Sequence, residues 1–184
     1  MRRRIIFGLL ALAIVAAPAI YAQQVNVLTL GTGGVGRLSL GQGTDGVTIV
    51  DNDRTTLTNA QVLALGATGI TVVGAPGAGY VIDVLHGVLV FNYTGAYTES
   101  ADNLQLYYTS RATGPAASSV MEMTNFIDAT ADTIMMFSGT PDDTTPSANT
   151  AVVISTTTGE EFGGGNASNQ VFVDVTYAVR RTGL

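Results

Sequence analysis

From Val171 to Val179 every second residue is apolar: Val171, Val173, Val175, Tyr177 and Val179. A two-residue beat puts all five side chains on one face of a strand, and no helix, with its 3.6-residue period, does the same. The pattern constrains the rest of the chain, because a strand with one apolar face needs partners beside it and a second layer over it. Similar segments recur between corners rich in Gly, Pro, Asn and Asp. They read as strands at Gln23–Leu30, Val47–Val50, Ile70–Val73, Tyr80–Tyr93, Leu104–Tyr108, Thr133–Ser138 and Ala151–Thr156. In the longest, alternation breaks near His86-Gly87, which predicts a bulge or bend there. Asp51-Asn52-Asp53 reads as a turn, and Gly159 to Asn169 as a polar, Gly-rich loop.

Helical signals are few. Thr58 to Gly66 offers a capping Thr or Asn, good helix formers and a Gly stop. Between Ala117 and Ala129, the spacing of Val120, Met123 and Phe126-Ile127 fits a short helix face. The fold class expected is all-β, a jelly roll or β-sandwich with one or two short helices.

The front of the chain has a different design. Met1-Arg2-Arg3-Arg4 is cationic, Ile5 to Ala17 is apolar apart from Gly8, and Pro18 precedes a small residue at Ala22. This is the three-part pattern of a secretory signal peptide, with an apolar run short for a bilayer span. The expected organisation is a signal peptide at 1–22, a Gly-rich N-terminal arm or subregion at 23–54, and a β-sandwich or jelly-roll domain at 55–184. Removing 22 of 184 residues leaves 162, enough for one hydrophobic core. Three of the eight basic residues leave with the leader, so five face 14 acidic side chains, a net charge of −9.

Those five are Arg37, Arg54, Arg111, Arg180 and Arg181, and the chain has no Lys. A phosphate backbone is held by a basic face that this composition does not supply, so neither nucleic acid nor an anionic membrane is an expected partner. With no Cys there is no disulfide framework, thiol chemistry or Cys-type zinc site.

The motifs that suggest chemistry are each better explained structurally. Gly31-Thr32-Gly33-Gly34-Val35-Gly36 matches the dinucleotide pattern, with Asp51 downstream, but Arg37 to Gly43 alternates like a strand where that site needs a helix. Gly41 to Val47 resembles one calcium-binding nonapeptide, a site made from stacked copies that are not repeated here. The acid pairs Asp142-Asp143 and Glu160-Glu161, and Asp128 with Asp132, read as solvated surface, although such loops supply some oxygen ligands to a hard cation. His86 is the one histidine, set in the most apolar strand and read as a buried or edge residue bonded to a backbone carbonyl. Asn92-Tyr93-Thr94 and Asn166-Ala167-Ser168 fit the N-glycosylation sequon. No catalytic, cofactor-binding or metal-ligating residue is assigned, and no cofactor is expected.

A series of turn and strand phrases carries a family resemblance. They are Leu57-Thr58-Asn59-Ala60, Ala67 to Val73 with Ala75 to Gly79, Tyr93 to Tyr97, Phe126 to Thr130, Gly163 to Ala167 and Val173 to Tyr177. Over about 57–179 the chain resembles small β proteins of tailed bacteriophages, virion structural components of head-decoration or fibre type. The resemblance implies a jelly-roll-like subunit that works by surface packing in symmetric oligomers. Virion proteins do not normally carry an export signal, which is where this chain departs from the group.

The reading as a whole is an exported, non-enzymatic structural or assembly subunit, secreted or at a cell surface. It is expected to form homo-oligomers, trimers or a filament among them, with the arm at 23–46 adding to a neighbour's sheet edge. No membrane contact is expected after signal cleavage. The alternative is a secreted carbohydrate- or calcium-dependent binding module, with a surface glycan as ligand, Tyr80, Tyr93, Tyr97, Tyr107 and Tyr108 as its platform and Asp142-Asp143 near the cation.

Overall fold

A computed structural model describes residues 28–30, 36–42, 46–98, 102–140 and 148–182, with side chains described from residue 50 onward. The leader at 1–22, Gly31 to Val35 and Asp142-Asp143 lie outside the described residues.

Over the described residues the chain is an all-β sandwich with one short helix. In order, the elements are β1 (Leu28–Leu30), β2 (Gly36–Gln42), β3 (Gly46–Thr58), α1 (Asn59–Leu63), β4 (Ile70–Val73) and β5 (Tyr80–Asn92). There follow β6 (Tyr97–Thr98), β7 (Leu104–Tyr108), β8 (Thr133–Ser138), β9 (Val152–Thr156), β10 (Gly163–Gly164) and β11 (Gln170–Arg181). The larger sheet has the order β1-β2-β3-β11-β5-β8, and a smaller one the order β4-β9-β7. Every pairing in both is antiparallel. β6 and β10 form a short ribbon. Over Leu38 to Gln42, β2 adds to β3 of its own sheet.

β11 organises the larger sheet by pairing with β3 on one side and β5 on the other. Its alternation does what a two-residue beat requires: Val171, Val173 and Val175 are buried to within 1% of full burial. They meet Leu57 of β3, Ile82, Val84, Leu89 and Phe91 of β5, and Val73, Leu106, Val152 and Ile154 of the smaller sheet in one apolar cluster. Full burial of each such side chain contributes about 1.5–3 kcal/mol, the favourable term that opposes the entropy of ordering the two layers.

The bulge expected near His86-Gly87 is present one residue earlier. Thr176 faces His86 and Tyr177 faces Val84, leaving Leu85 as the extra residue. Gly87 itself sits against Phe137 and the Asp174 carbonyl so closely that a Cβ there would collide with both.

Two local expectations are corrected. Asp51-Asn52-Asp53 is not a turn but the middle of β3. Its polar side chains find partners across the strand pair, Asn52 Nδ2 donating to Thr176 Oγ1 at 3.1 Å and Tyr177 Oη donating to Asp53 Oδ2 at 3.0 Å. The 117–129 segment is not a helix. It runs as isolated bridges, Leu104 with Met121 and Ser118 with Gly139, and then a turn in which the Phe126 and Ile127 N–H groups both donate to the Met123 carbonyl. Its apolar residues fill the interior, with Met121, Met123, Phe126 and Ile127 buried, while Val120 points outward.

The helix expected from Thr58 is α1, closed by a capping box between Thr58 and Gln61. It ends before Gly66. Gly66 instead allows a close approach, since a Cβ there would lie 2.5 Å from the Glu160 carbonyl oxygen. Among the described residues no helix is long and apolar enough to cross a membrane.

Candidate functional site

Among the described residues, the polar groups that sequence singles out do not converge. His86 lies on an interior strand rather than an edge and is exposed, so the buried-or-edge expectation is corrected. Its neighbours across the ladder are Thr176 and Ser138. Asp132 accepts a hydrogen bond from the Tyr93 N–H at 2.9 Å and so fastens the end of β5. Asp128 buries one carboxylate oxygen without a hydrogen-bond partner. Glu160 and Glu161 are exposed. No group of three or more His, Asp or Glu capable of holding a metal ion occurs among the described residues. Asn92 and Asn166 of the two sequons are exposed.

The five tyrosines do not form a platform. Tyr97, Tyr107 and Tyr108 are buried, Tyr108 donating its hydroxyl to the Ile82 carbonyl at 2.9 Å. Tyr93 is half-buried and stacks edge-on against Phe91. A ring inside the core offers no face to a sugar.

The best-organised polar constellation is centred on Asp102, which no sequence motif marks. Its carboxylate is 1% exposed and accepts from the N–H groups of Asn103, Thr157, Thr158 and Glu160 and from the hydroxyls of Thr157 and Thr158. Burial pushes the carboxyl pKa up. The hydrogen bonds from Thr157, Thr158 and Asn103 outweigh it and hold the group well below the usual carboxylate range. With its oxygens fully engaged by donors of the surrounding loops, Asp102 is a staple and leaves no lone pair aimed at a ligand. Asn169 acts similarly, its Oδ1 accepting from the Thr94 N–H and hydroxyl while Nδ2 donates to the Gly95 carbonyl.

The large apolar side chains left exposed at the surface are concentrated in one place. Strand register sets the outer face of the larger sheet in rows. Thr56, Phe172, Val90 and Ile134 share one row, and Arg54, Asp174, Val88 and Met136 the next. Arg54 pairs with Asp174 through Nε and Nη2, each at 2.7 Å, and its guanidinium lies 5.4 Å from the centroid of the Phe172 ring. Toward β8 the rows become apolar and open. Ile134 is 68% exposed and Met136 78%. Val120 and Leu85 stand at the end of the same strand, where Ser119 and Leu85 bond Ser138 and Gly139 through the backbone. Of the five large hydrophobic side chains most exposed among the described residues, four lie on or beside β8.

Thr133–Ser138 is readable from sequence as a strand, and the run of apolar residues at 134–137 is visible there. Its position at the edge of the sheet is not, because strand order depends on pairings across more than forty residues.

No protein-family model matches the chain, and no curated protein does. Among solved structures it is similar to a chain described as "Cyanophage Pam1 capsid asymmetric unit", at 18% identity and a TM-score of 0.43, over 86% of this chain and 99% of that one.

Proposed function

We propose that the chain is a non-enzymatic structural subunit whose work is to pack against further copies of itself, exported and acting as part of a surface, a filament or a virion-like particle. The observation that carries this reading is the gathering of exposed apolar side chains at one uncharged sheet edge. Such patches on soluble proteins mark association sites. The distribution of polar chemistry supports it: Asp102, Asn169 and Asp132 are bound to backbone donors and serve the fold. The phrases over 57–179 that resemble small tailed-phage β proteins agree with the same role.

The test is the mass of the purified protein by light scattering across a concentration series. Growth of the mass in whole multiples of one chain is expected. A mass that stays at one chain up to the solubility limit overturns the proposal.

A further inference from the structure

Resting on that reading, we infer that the open edge of β8 is the contact itself, and that its occupant is the β8 of a second copy, paired antiparallel about a two-fold axis through Met135.

Backbone direction along β8 is fixed at its Ser138 end. Ser138 faces away from β5, its carbonyl accepting from the Ser119 N–H at 2.8 Å and its N–H donating to Ser119 Oγ at 3.3 Å. Gly139 faces inward, donating to the Leu85 carbonyl at 2.9 Å. Strand residues alternate in the direction of their N–H and C=O groups. Met136 and Ile134 therefore present theirs outward with Ser138, and no described residue bonds them on that side. Ser119 occupies the edge only at its Ser138 end.

An exposed edge of this kind is a template for another strand, and proteins that remain single commonly guard it with a charge, a proline or a bulge. Thr133-Ile134-Met135-Met136-Phe137-Ser138 contains no charge and no proline, and its pairing with β5 is in continuous register.

Two further observations point to a second copy as the occupant. Each full chain carries a formal charge of −6, so two copies repel across most of their surfaces and are least opposed where a strand carries none. The edge is also self-complementary. With the axis through Met135, Ile134 of one copy hydrogen-bonds opposite Met136 of the other, and the reverse pair forms by symmetry. The four exposed side chains then meet on the outer face. The pairing ends before Ser138, whose outward groups Ser119 holds, and Asp132 of each copy lies beyond that end toward Ser138 of the other, so no acid faces an acid.

In this register Met135 faces Met135 of the second copy in a non-hydrogen-bonded pair, where Cα atoms lie about 4.5 Å apart. That separation admits a disulfide. The chain has no cysteine, so Met135→Cys introduces a single thiol.

The experiment uses the full chain. Light scattering and thermal melting compare the wild type with Ile134→Lys/Met136→Lys and with Thr71→Lys, a control at an exposed position of β4. Met135→Cys is oxidised under mild conditions and sized on a non-reducing gel. The expected result is an oligomeric wild type and control, a double-lysine variant whose mass falls at least two-fold while its melting stays cooperative, and a covalent dimer from Met135→Cys. A double-lysine variant with wild-type mass overturns the β8 contact and leaves the assembly reading in place. Loss of mass without the Met135→Cys dimer overturns the two-fold register. A wild type of one-chain mass overturns both. Should the lysine pair prevent folding, the Met135→Cys dimer decides alone.

Discussion

At the scale of single residues, the most consequential group is Asp102. Its carboxylate gathers donors from positions 103, 157, 158 and 160 and so fixes the loop that leads from β9 toward β10. Hydrogen bonds to a charged group contribute about 1.5–3 kcal/mol each and leave donors unsatisfied when lost. Asp102→Asn keeps one oxygen and surrenders the charge. It is expected to destabilise the fold by about 2–3 kcal/mol at neutral pH, measured by urea denaturation. The pH dependence follows from the sign of the shift. The folded carboxyl titrates below its unfolded value, which is about 3.9, so its contribution is fully present above that value and lost as pH falls toward the folded pKa. The stability gap between wild type and Asp102→Asn is therefore expected to be constant from about pH 7 to pH 5 and to narrow below about pH 4. A gap that widens with acid contradicts the assignment.

At the scale of elements, the strands are legible in sequence wherever one face is buried and the other is wet. Val171 to Val179 announces β11 because its inner neighbours are core and its outer neighbours are not. Asp51-Asn52-Asp53 misleads because three polar residues in a row look like a corner. Their strand conformation depends on partners 124 residues away, which local pattern does not contain. Val120, Met123 and Phe126-Ile127 have helical spacing, yet Met123, Phe126 and Ile127 satisfy burial from a turn wedged into the core. The Asp102 staple is illegible for the same reason, since its two threonines lie 55 and 56 residues downstream. The bulge is legible in kind through His86-Gly87, and its packing gives an expectation at Gly87. There a methyl group meets the Phe137 ring and the Asp174 carbonyl, in register between β11 and β8. Gly87→Ala is expected to lower stability by about 1–3 kcal/mol through overpacking, read as a lower denaturation midpoint with unchanged slope.

At the scale of the whole molecule, charge and edge act against each other. In the proposed assembly an acidic surface opposes the approach of copies and β8 is their uncharged contact, so the balance depends on screening. The Debye length shortens from about 30 Å at 0.01 M salt to about 8 Å at 0.15 M. Self-association is accordingly expected to strengthen as sodium chloride is raised over that range, seen as a larger mass by light scattering at fixed protein concentration. Weakening with salt would mean that ion pairs, not an apolar edge, hold the copies together.

β11 lies between β3 and β5, both made well before it. Until the residues from Gln170 onward have emerged, those two strands have nothing to bridge them, and the larger sheet stays in separate pieces. Closing so wide a span of chain is slow in entropic terms. The larger sheet is therefore completed last by the strand at its centre, and whatever stability it lends the sandwich depends on the final residues of β11.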